Sequence, residues 1–248
     1  MSQELTAEQA VGNLYRTYPF PQTTAQQRRE WLTFQLCKYK FLGVEEAWRG
    51  RVLDVGCGTG RTMLVPKHYG TQHYVGLDQS EASLQFAKKV SLEDGVEQFV
   101  PLKASLFDMP FENEYFDLVV SWGVLHCTPD PVKGIREMMR VCKPGGYIAF
   151  FVYNPFAHWR NNFQRWKIQR EAGPDVDARF KVAHRKYGSK PIEQMSSADI
   201  VNFVDRFCVP IESNHTYGEI LSWFDQLVPR FFSIPSDDGR FDGRTADR

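Results

Sequence analysis

Arg51-Val-Leu-Asp-Val-Gly-Cys-Gly-Thr-Gly60 is the stretch around which the chain is organised. Val52, Leu53 and Val55 are apolar and mostly β-branched, as a buried strand prefers. Gly56, Gly58 and Gly60 then break the strand at alternate positions. Arg61 to Tyr69 reads as a helix that Pro66 keeps short or kinked. A strand that ends in a glycine turn and feeds a helix is a nucleotide-binding corner. Missing Cβ atoms let the backbone approach a ligand, and free N–H groups of the turn and helix start face it. The spacing is Gly-x-Gly-x-Gly, not the Gly-x-Gly-x-x-Gly of dinucleotide sites. Asp54, at the carboxyl end of the strand, is a poor neighbour for a pyrophosphate and a good one for an ammonium group. The stretch therefore favours a cationic amino-acid ligand that carries a nucleoside.

Working outward, His73-Tyr-Val-Gly-Leu-Asp78 is a second strand ending in an acid, placed to accept hydrogen bonds from both ribose hydroxyls. Gln79 follows it. Further on stand Met109-Pro-Phe111, Phe116-Asp-Leu-Val-Val120, Val124-Leu-His126 and Lys143-Pro-Gly-Gly146, the last read as a turn into a fifth strand from Tyr147 to Val152. In this order and spacing, from about Gly50 to Val152, the chain resembles the class I S-adenosylmethionine (SAM) dependent methyltransferases. The resemblance implies an α/β fold with a Rossmann-like, mostly parallel sheet, and SAM as cofactor with S-adenosylhomocysteine as product. It implies cofactor contacts from Asp54, Gly56, Gly58, Gly60, Asp78 and Gln79. It also implies that Ala104 to Phe111 reads adenine. Many members carry an acid where this chain has Ser105, so a hydroxyl accepts more weakly there, and the Leu106 N–H can donate to a ring nitrogen. Asp108 reads as a turn residue. Trp122 either faces the adenine or sulfonium or is a large core residue. The family sheet usually closes with an antiparallel seventh strand, for which the sequence offers no candidate past Ile234.

Length and composition suit one α/β domain with additions: 248 residues, with Lys+Arg and Asp+Glu balanced at 30 each. A zero formal charge argues against chain-wide attraction to nucleic acid or an anionic membrane. Five cysteines without metal-like spacing read as reduced, mostly buried thiols of a cytoplasmic protein, with Cys57 a filler rather than a nucleophile. Met1 to Ala10 is polar and does not read as a signal peptide, and no apolar run is long enough to span a bilayer. No metal-ligand cluster is visible, so a metal-assisted mechanism is not expected.

Residues 1–49 read as an N-terminal helical lid. Thr6-Ala-Glu-Gln9 and Thr24-Ala-Gln-Gln27 are capping boxes opening two helices, to about Arg16 and Phe41, with Tyr18-Pro-Phe-Pro21 between them. Their aromatics either wall an acceptor pocket or glue the helices to the sheet. Residues 50–155 are the cofactor core. Residues 156–204 read as a helical insertion after the fifth strand. It holds nine basic residues against three acidic ones between His158 and Lys190. That is either a solvated face or a site for an anionic acceptor or RNA. Residues 205–235 return to the core with a capped helix from Thr216 to about Leu227 and a strand from Arg230 to Ile234. Residues 236–248 read as a mobile tail. Tyr18-Pro-Phe-Pro21, Tyr153-Asn154 and His215-Thr216 further resemble a bacterial and archaeal subgroup of the family, and that likeness supplies no substrate.

The implied reaction is methyl transfer by in-line displacement to a small-molecule acceptor through an O, N, S or C atom. His126, His215, Tyr18 and Tyr153 are the catalytic candidates, each with a purely structural alternative. An RNA methyltransferase using the basic insertion and a non-catalytic SAM-binding module stand as rival readings. The oligomeric state is left open.

Overall fold

The computed structural model describes residues 6–224, 231–235 and 241–245. The chain begins with helices α1 (Ala7–Thr17) and α2 (Ala25–Leu42), each opened by the expected capping box at Thr6 and Thr24. Strand β1 (Arg51–Val55) follows, then α3 (Leu64–Tyr69), β2 (His73–Asp78), α4 (Glu81–Asp94) and β3 (Phe99–Lys103). Strand β4 (Phe116–Trp122), α5 (Pro131–Val141) and β5 (Cys142–Phe151) complete the core. Helices α6 (Trp159–Ala172), α7 (Val176–Tyr187) and α8 (Ser197–Cys208) form the insertion, and α9 (Tyr217–Ser222) follows. Strands β6 (Phe231–Pro235) and β7 (Phe241–Thr245) pair as an antiparallel hairpin.

The main sheet is parallel throughout, in the order β3-β2-β1-β4-β5. Crossover helices cover both its faces, so its central strands are buried continuously rather than alternately. The two-residue period still sorts side chains. Leu53, Val55, Val75, Leu77 and Val119 join one apolar cluster with Ile135 and Met138 of α5. Val52, Tyr74, Leu118 and Val120 join the other with Tyr39 of α2, Trp48, and Leu84 and Ala87 of α4. Asp54 shares the face of Val52, and that choice of face decides its partners.

Three expectations change here. The turn after β1 runs further than expected, so α3 starts at Leu64 and Pro66 sits in its first turn, where a proline breaks no helix hydrogen bond. Lys143–Gly146 is not a turn before the fifth strand but an irregularity within β5: Cys142 already pairs with Phe116, and regular pairing resumes at Leu118 and Tyr147. A strand, β7, lies inside the stretch read as a tail, and it sits beside β5. Its sequence, Phe-Asp-Gly-Arg-Thr, carries no apolar alternation, so pattern reading had nothing to find. The rest of that tail, and the expected continuation of α9 to Leu227, lie outside the described residues.

The N-terminal helices are latched to the core by Arg28. This buried guanidinium bonds both carboxylate oxygens of Asp94, at 2.7 and 2.9 Å, and reaches Glu93 at 3.3 Å. It also donates to the Thr23 carbonyl. Asp94 is the last residue of α4, and its side chain is itself only 8 % exposed. Arg28→Ala leaves that carboxylate desolvated and unpaired. We expect a stability loss of about 3 kcal/mol in denaturant unfolding, with proteolytic cleavage first between α1 and α2.

Candidate active site

In an open parallel sheet, ligands bind beyond the carboxyl ends of the strands where the strand order reverses. Here that point lies between β1 and β4. A cavity of about 320 Å³ occupies it. The glycine turn, the ends of β2, β4 and β5, and the loops after β3 and β4 line its floor. Residues of α1, α2 and α8 close it from above.

Gly56 and Gly58 line the cavity in the left-handed region, at φ 71° and 55°. A Cβ on Gly56 would lie 2.3 Å from Val124 Cγ2, and one on Gly58 would lie 2.5 Å from the Phe20 carbonyl oxygen. Gly60 does not line the cavity. Its missing Cβ admits Ala87 of α4, whose Cα would stand 3.3 Å away, so it is a packing glycine. The turn's N–H groups are also less free than expected. Gly56 and Cys57 donate to the Leu77 carbonyl at 2.7 and 3.1 Å, Gly58 to Asp78, and Gly60 to the Cys57 carbonyl. The corner therefore admits a ligand mainly by its missing side chains. Cys57 is buried, and burial raises its thiol well above the usual range, which fits a filler.

Asp54 and Asp78 both line the cavity. Asp54 Oδ2 accepts from the Thr62 hydroxyl at 2.6 Å and the Tyr74 hydroxyl at 2.8 Å. Burial pushes this carboxyl up to about 6 against those two donors. Asp78 Oδ2 accepts the Gly58 N–H at 3.0 Å, and Oδ1 accepts the Ser80 N–H at 2.8 Å. Burial raises its pKa also, and the backbone donors oppose the rise. Gln79 lines the cavity under Gly12 of α1, where a Cβ would come within 3.0 Å of its Oε1.

Leu106 lines the cavity and Ser105 does not. The Ser105 hydroxyl accepts the Phe107 N–H at 3.1 Å and donates to Glu8 Oε1 at 2.6 Å. Glu8, from the first turn of α1, lines the cavity in its place. A carboxylate thus reaches this corner from outside the core. Trp122 lines the cavity with its Nε1–H donating to the Tyr39 hydroxyl at 2.9 Å. The Lys38 ammonium lies 4.4 Å from its ring centroid, so one ring face already meets a cation.

Beyond this region the cavity is lined by Tyr15, His126, Tyr153, His158, Asp205 and Glu212. The His126 and Tyr153 rings pack at a tilt with centroids 4.0 Å apart, and Tyr153 stacks on His158 at the same distance. Burial drives His126 down to about 3. Asp205, the ninth residue of α8, accepts from the Tyr15 hydroxyl at 2.8 Å, and burial lifts it to about 6. Tyr18 and His215 stand outside this group. Tyr18 caps the end of α1 and packs on the apolar cluster of the insertion helices. His215 is buried with both ring nitrogens engaged, Nε2 with Ser213 Oγ and Nδ1 with Glu219 Oε1, each at 2.7 Å. It braces a loop rather than facing the cavity.

None of the insertion's nine basic residues lines the cavity. Buried Arg165 and Arg179 turn inward to the carbonyl of Val209, which caps α8. Cations suit that helix end. Arg185, Lys186 and Lys190 pair with Glu171 or Asp199, and Lys167 and Arg170 lie over Phe163 and Trp166.

Sequence reading missed Glu8, Lys38, Asp205 and Glu212 as cavity residues, because each lies on an added segment whose docking no motif announces, and it missed Arg61, just after the glycine turn. The capping boxes located two of those helices but not the faces they present.

Residues 53–150 match the family described as methyltransferase domain. A phthiotriol/phenolphthiotriol dimycocerosates methyltransferase of Mycobacterium leprae (strain TN) is 29% identical over 132 residues, 52% of this chain and 48% of that protein. The chloroplastic 2-methyl-6-phytyl-1,4-hydroquinone methyltransferase 1 of Oryza sativa subsp. japonica is 39% identical over 97 residues, covering 39% of this chain and 28% of that protein. The chain thus spans about half the length, or less, of these curated relatives. A SAM-dependent methyltransferase from Aquifex aeolicus superposes with a TM-score of 0.53 at 15% identity, over 83% of this chain and 87% of that one. PKMT2 from Rickettsia typhi, solved in complex with AdoHcy, gives 0.53 at 15% identity over 75% of this chain and 39% of that one. Among the described residues no helix is long and apolar enough to cross a membrane. Residues 53–150 thus match a methyltransferase domain, and the order of the parallel sheet is that of the class I SAM-dependent methyltransferase fold.

Proposed function

We propose that the chain transfers a methyl group from SAM to a small-molecule acceptor. The observation that carries this reading is one continuous cavity with two chemically different ends. Asp54, the glycine turn, Asp78 and Leu106 frame one end, and His126, Tyr153, Asp205 and Glu212 the other. The first end fits SAM on its own chemistry. A buried carboxyl held up at about 6 gains most from a neighbouring cation, which the ligand's ammonium supplies. Asp78 accepts one backbone N–H on each oxygen and keeps lone pairs for the ribose hydroxyls. Glu8 accepts from the adenine amino group, in the role that Ser105 leaves open.

When bound, SAM supplies a methyl carbon on a sulfonium that is already activated for displacement. The chain's part is to hold the acceptor in line and exclude water. Tyr15, Phe20, Trp31 and Lys38 cover the cavity from the N-terminal helices and serve that exclusion. His126, neutral across the physiological range, orients the acceptor as a hydrogen-bond partner and is a weak proton acceptor. Tyr153 holds the His126 ring by packing against it. The buried thiols fit a reducing, cytoplasmic compartment.

Calorimetric titration of SAM and S-adenosylhomocysteine tests the reading. Micromolar binding of both and none of nicotinamide dinucleotides is expected, and the reverse result refutes it. The pH dependence follows from Asp54. Its raised pKa leaves it neutral below about 6 and charged above. The bound ammonium favours the charged form. Affinity should therefore be flat above pH 7 and fall by roughly tenfold per unit below about 6. Asp54→Asn should bind more weakly at pH 7.5 and lose that dependence.

A further inference from the structure

Two buried hydrogen-bond acceptors at the far end of the cavity have no donor. One is His126 Nδ1 and the other is Glu212 Oε1. Both residues line the cavity. His126 is 2% exposed, and the Glu212 side chain 5%. The Phe151 backbone hydrogen-bonds the His126 ring in the sense that favours its N–H. As Nδ1 has no partner, that proton sits on Nε2, and Nδ1 presents its lone pair. Glu212 is a carboxylate with one oxygen committed, Oε2 lying 3.4 Å from Arg165 Nη1.

The two acceptors are held by one device. The Ser213 N–H donates to the His126 carbonyl at 2.7 Å, and the His215 N–H donates to the Tyr153 carbonyl at 2.8 Å. The Ser213 hydroxyl also bonds the His126 carbonyl, at 3.1 Å. The loop after α8 is thus fastened to the ends of β4 and β5, next to Glu212. His215 braces it through Ser213 and Glu219. Asp205 adds a second carboxylate, with the Tyr15 hydroxyl on its Oδ1. Two of the nearby donors are spent. Tyr15 serves Asp205, and Arg165 serves Glu212 and the Arg206 and Val209 carbonyls.

A buried acceptor without a donor is costly, so such a pair marks where a ligand must supply donors. We propose that this end of the cavity is the acceptor subsite, and that it takes a neutral or cationic molecule presenting two O–H or N–H donors, to His126 Nδ1 and Glu212 Oε1, and not an anionic one. The two carboxylates repel an anion there, none of the insertion's nine Lys and Arg side chains lines the cavity, and the cavity-lining Arg61 already interacts with the Asp205 carboxylate. The proposal rests on the methyltransferase reading and adds to it the chemistry of the substrate.

The test uses full-length protein saturated with S-adenosylhomocysteine and three probes of similar shape, followed by saturation-transfer NMR. The probes are 1,4-benzenedimethanol with two donors, its bis-methyl ether with none, and terephthalate with two negative charges. The diol should bind at least about tenfold more tightly than either other probe. Glu212→Gln and His126→Phe should each weaken the diol about tenfold, with S-adenosylhomocysteine affinity unchanged as the check on folding. Equal binding of the three probes, a preference for terephthalate, no diol binding, or unchanged diol affinity in both folded variants overturns the subsite. Failure of S-adenosylhomocysteine to bind wild type is a separate result and strikes the methyltransferase reading beneath it.

Discussion

Asp78→Ala should abolish cofactor binding while the protein stays folded. The carboxylate does two jobs at once. It accepts the Gly58 and Ser80 N–H groups, fixing the glycine turn and the start of α4 relative to β2. It is also placed to accept from a ligand's vicinal hydroxyls. A hydrogen bond to a charged group contributes about 1.5–3 kcal/mol, so losing two from the ligand weakens binding by roughly 10²–10⁴-fold. Asp78→Asn separates the two jobs. Its amide must turn an NH₂ group toward either the Gly58 or the Ser80 N–H, donor against donor. Affinity should fall nearly as far as in the alanine variant, although size and shape are kept. Calorimetry with S-adenosylhomocysteine measures both. Affinity within threefold of wild type in either variant would sink the assignment of Asp78.

Gly58→Ala should cost stability heavily, and it should act on binding and on the N-terminal helices together. Gly58 sits at φ 55°, where a side chain costs about 1–2 kcal/mol. Its Cβ would also stand 2.5 Å from the Phe20 carbonyl oxygen, which is backbone and cannot rotate away. The segment between α1 and α2 must lift. That segment is fastened beside Gly58 by the Thr59 hydroxyl, which donates to the Pro21 carbonyl. Gly70→Ala is the matched control: φ is 68°, and nothing lies within 4 Å of the added methyl. Gly70→Ala should lose only the backbone term and bind S-adenosylhomocysteine normally. Gly58→Ala should lose about 2–4 kcal/mol, bind at least tenfold more weakly and cleave faster near Phe20. Equal stability of the two variants would show that the N-terminal segment does not rest on the turn.

The contrast between these two glycines shows what kind of information each level holds. Residues 51–60 and 73–78 could be read as strand, turn and acid because a nucleotide corner is local chemistry: a few residues, adjacent in sequence, each with a side chain that the geometry demands or forbids. The same local rules found both capping boxes, and Ser80 as the cap of α4. They also found the acids Asp54 and Asp78 on the cavity wall. The sequence by itself therefore determined the parallel core and the turn and acids that line one end of the cavity.

Only the tertiary structure decided the rest. Ser105 looked like a ligand contact until Glu8, 97 positions away, took its hydroxyl. Tyr18 and Tyr15 are three residues apart, yet only Tyr15 lines the cavity, because where α1 docks selects which aromatic does. His126 and His215 were equivalent as residue types. Their surroundings made one a buried ring with a bare nitrogen and the other a brace with both nitrogens occupied. The basic insertion read as a charged face, yet two of its arginines are inside, capping α8. In each case the deciding contact joins segments far apart in the chain. The sign and strength of an electrostatic partner depend on burial and distance, and neither quantity exists until those segments are packed together.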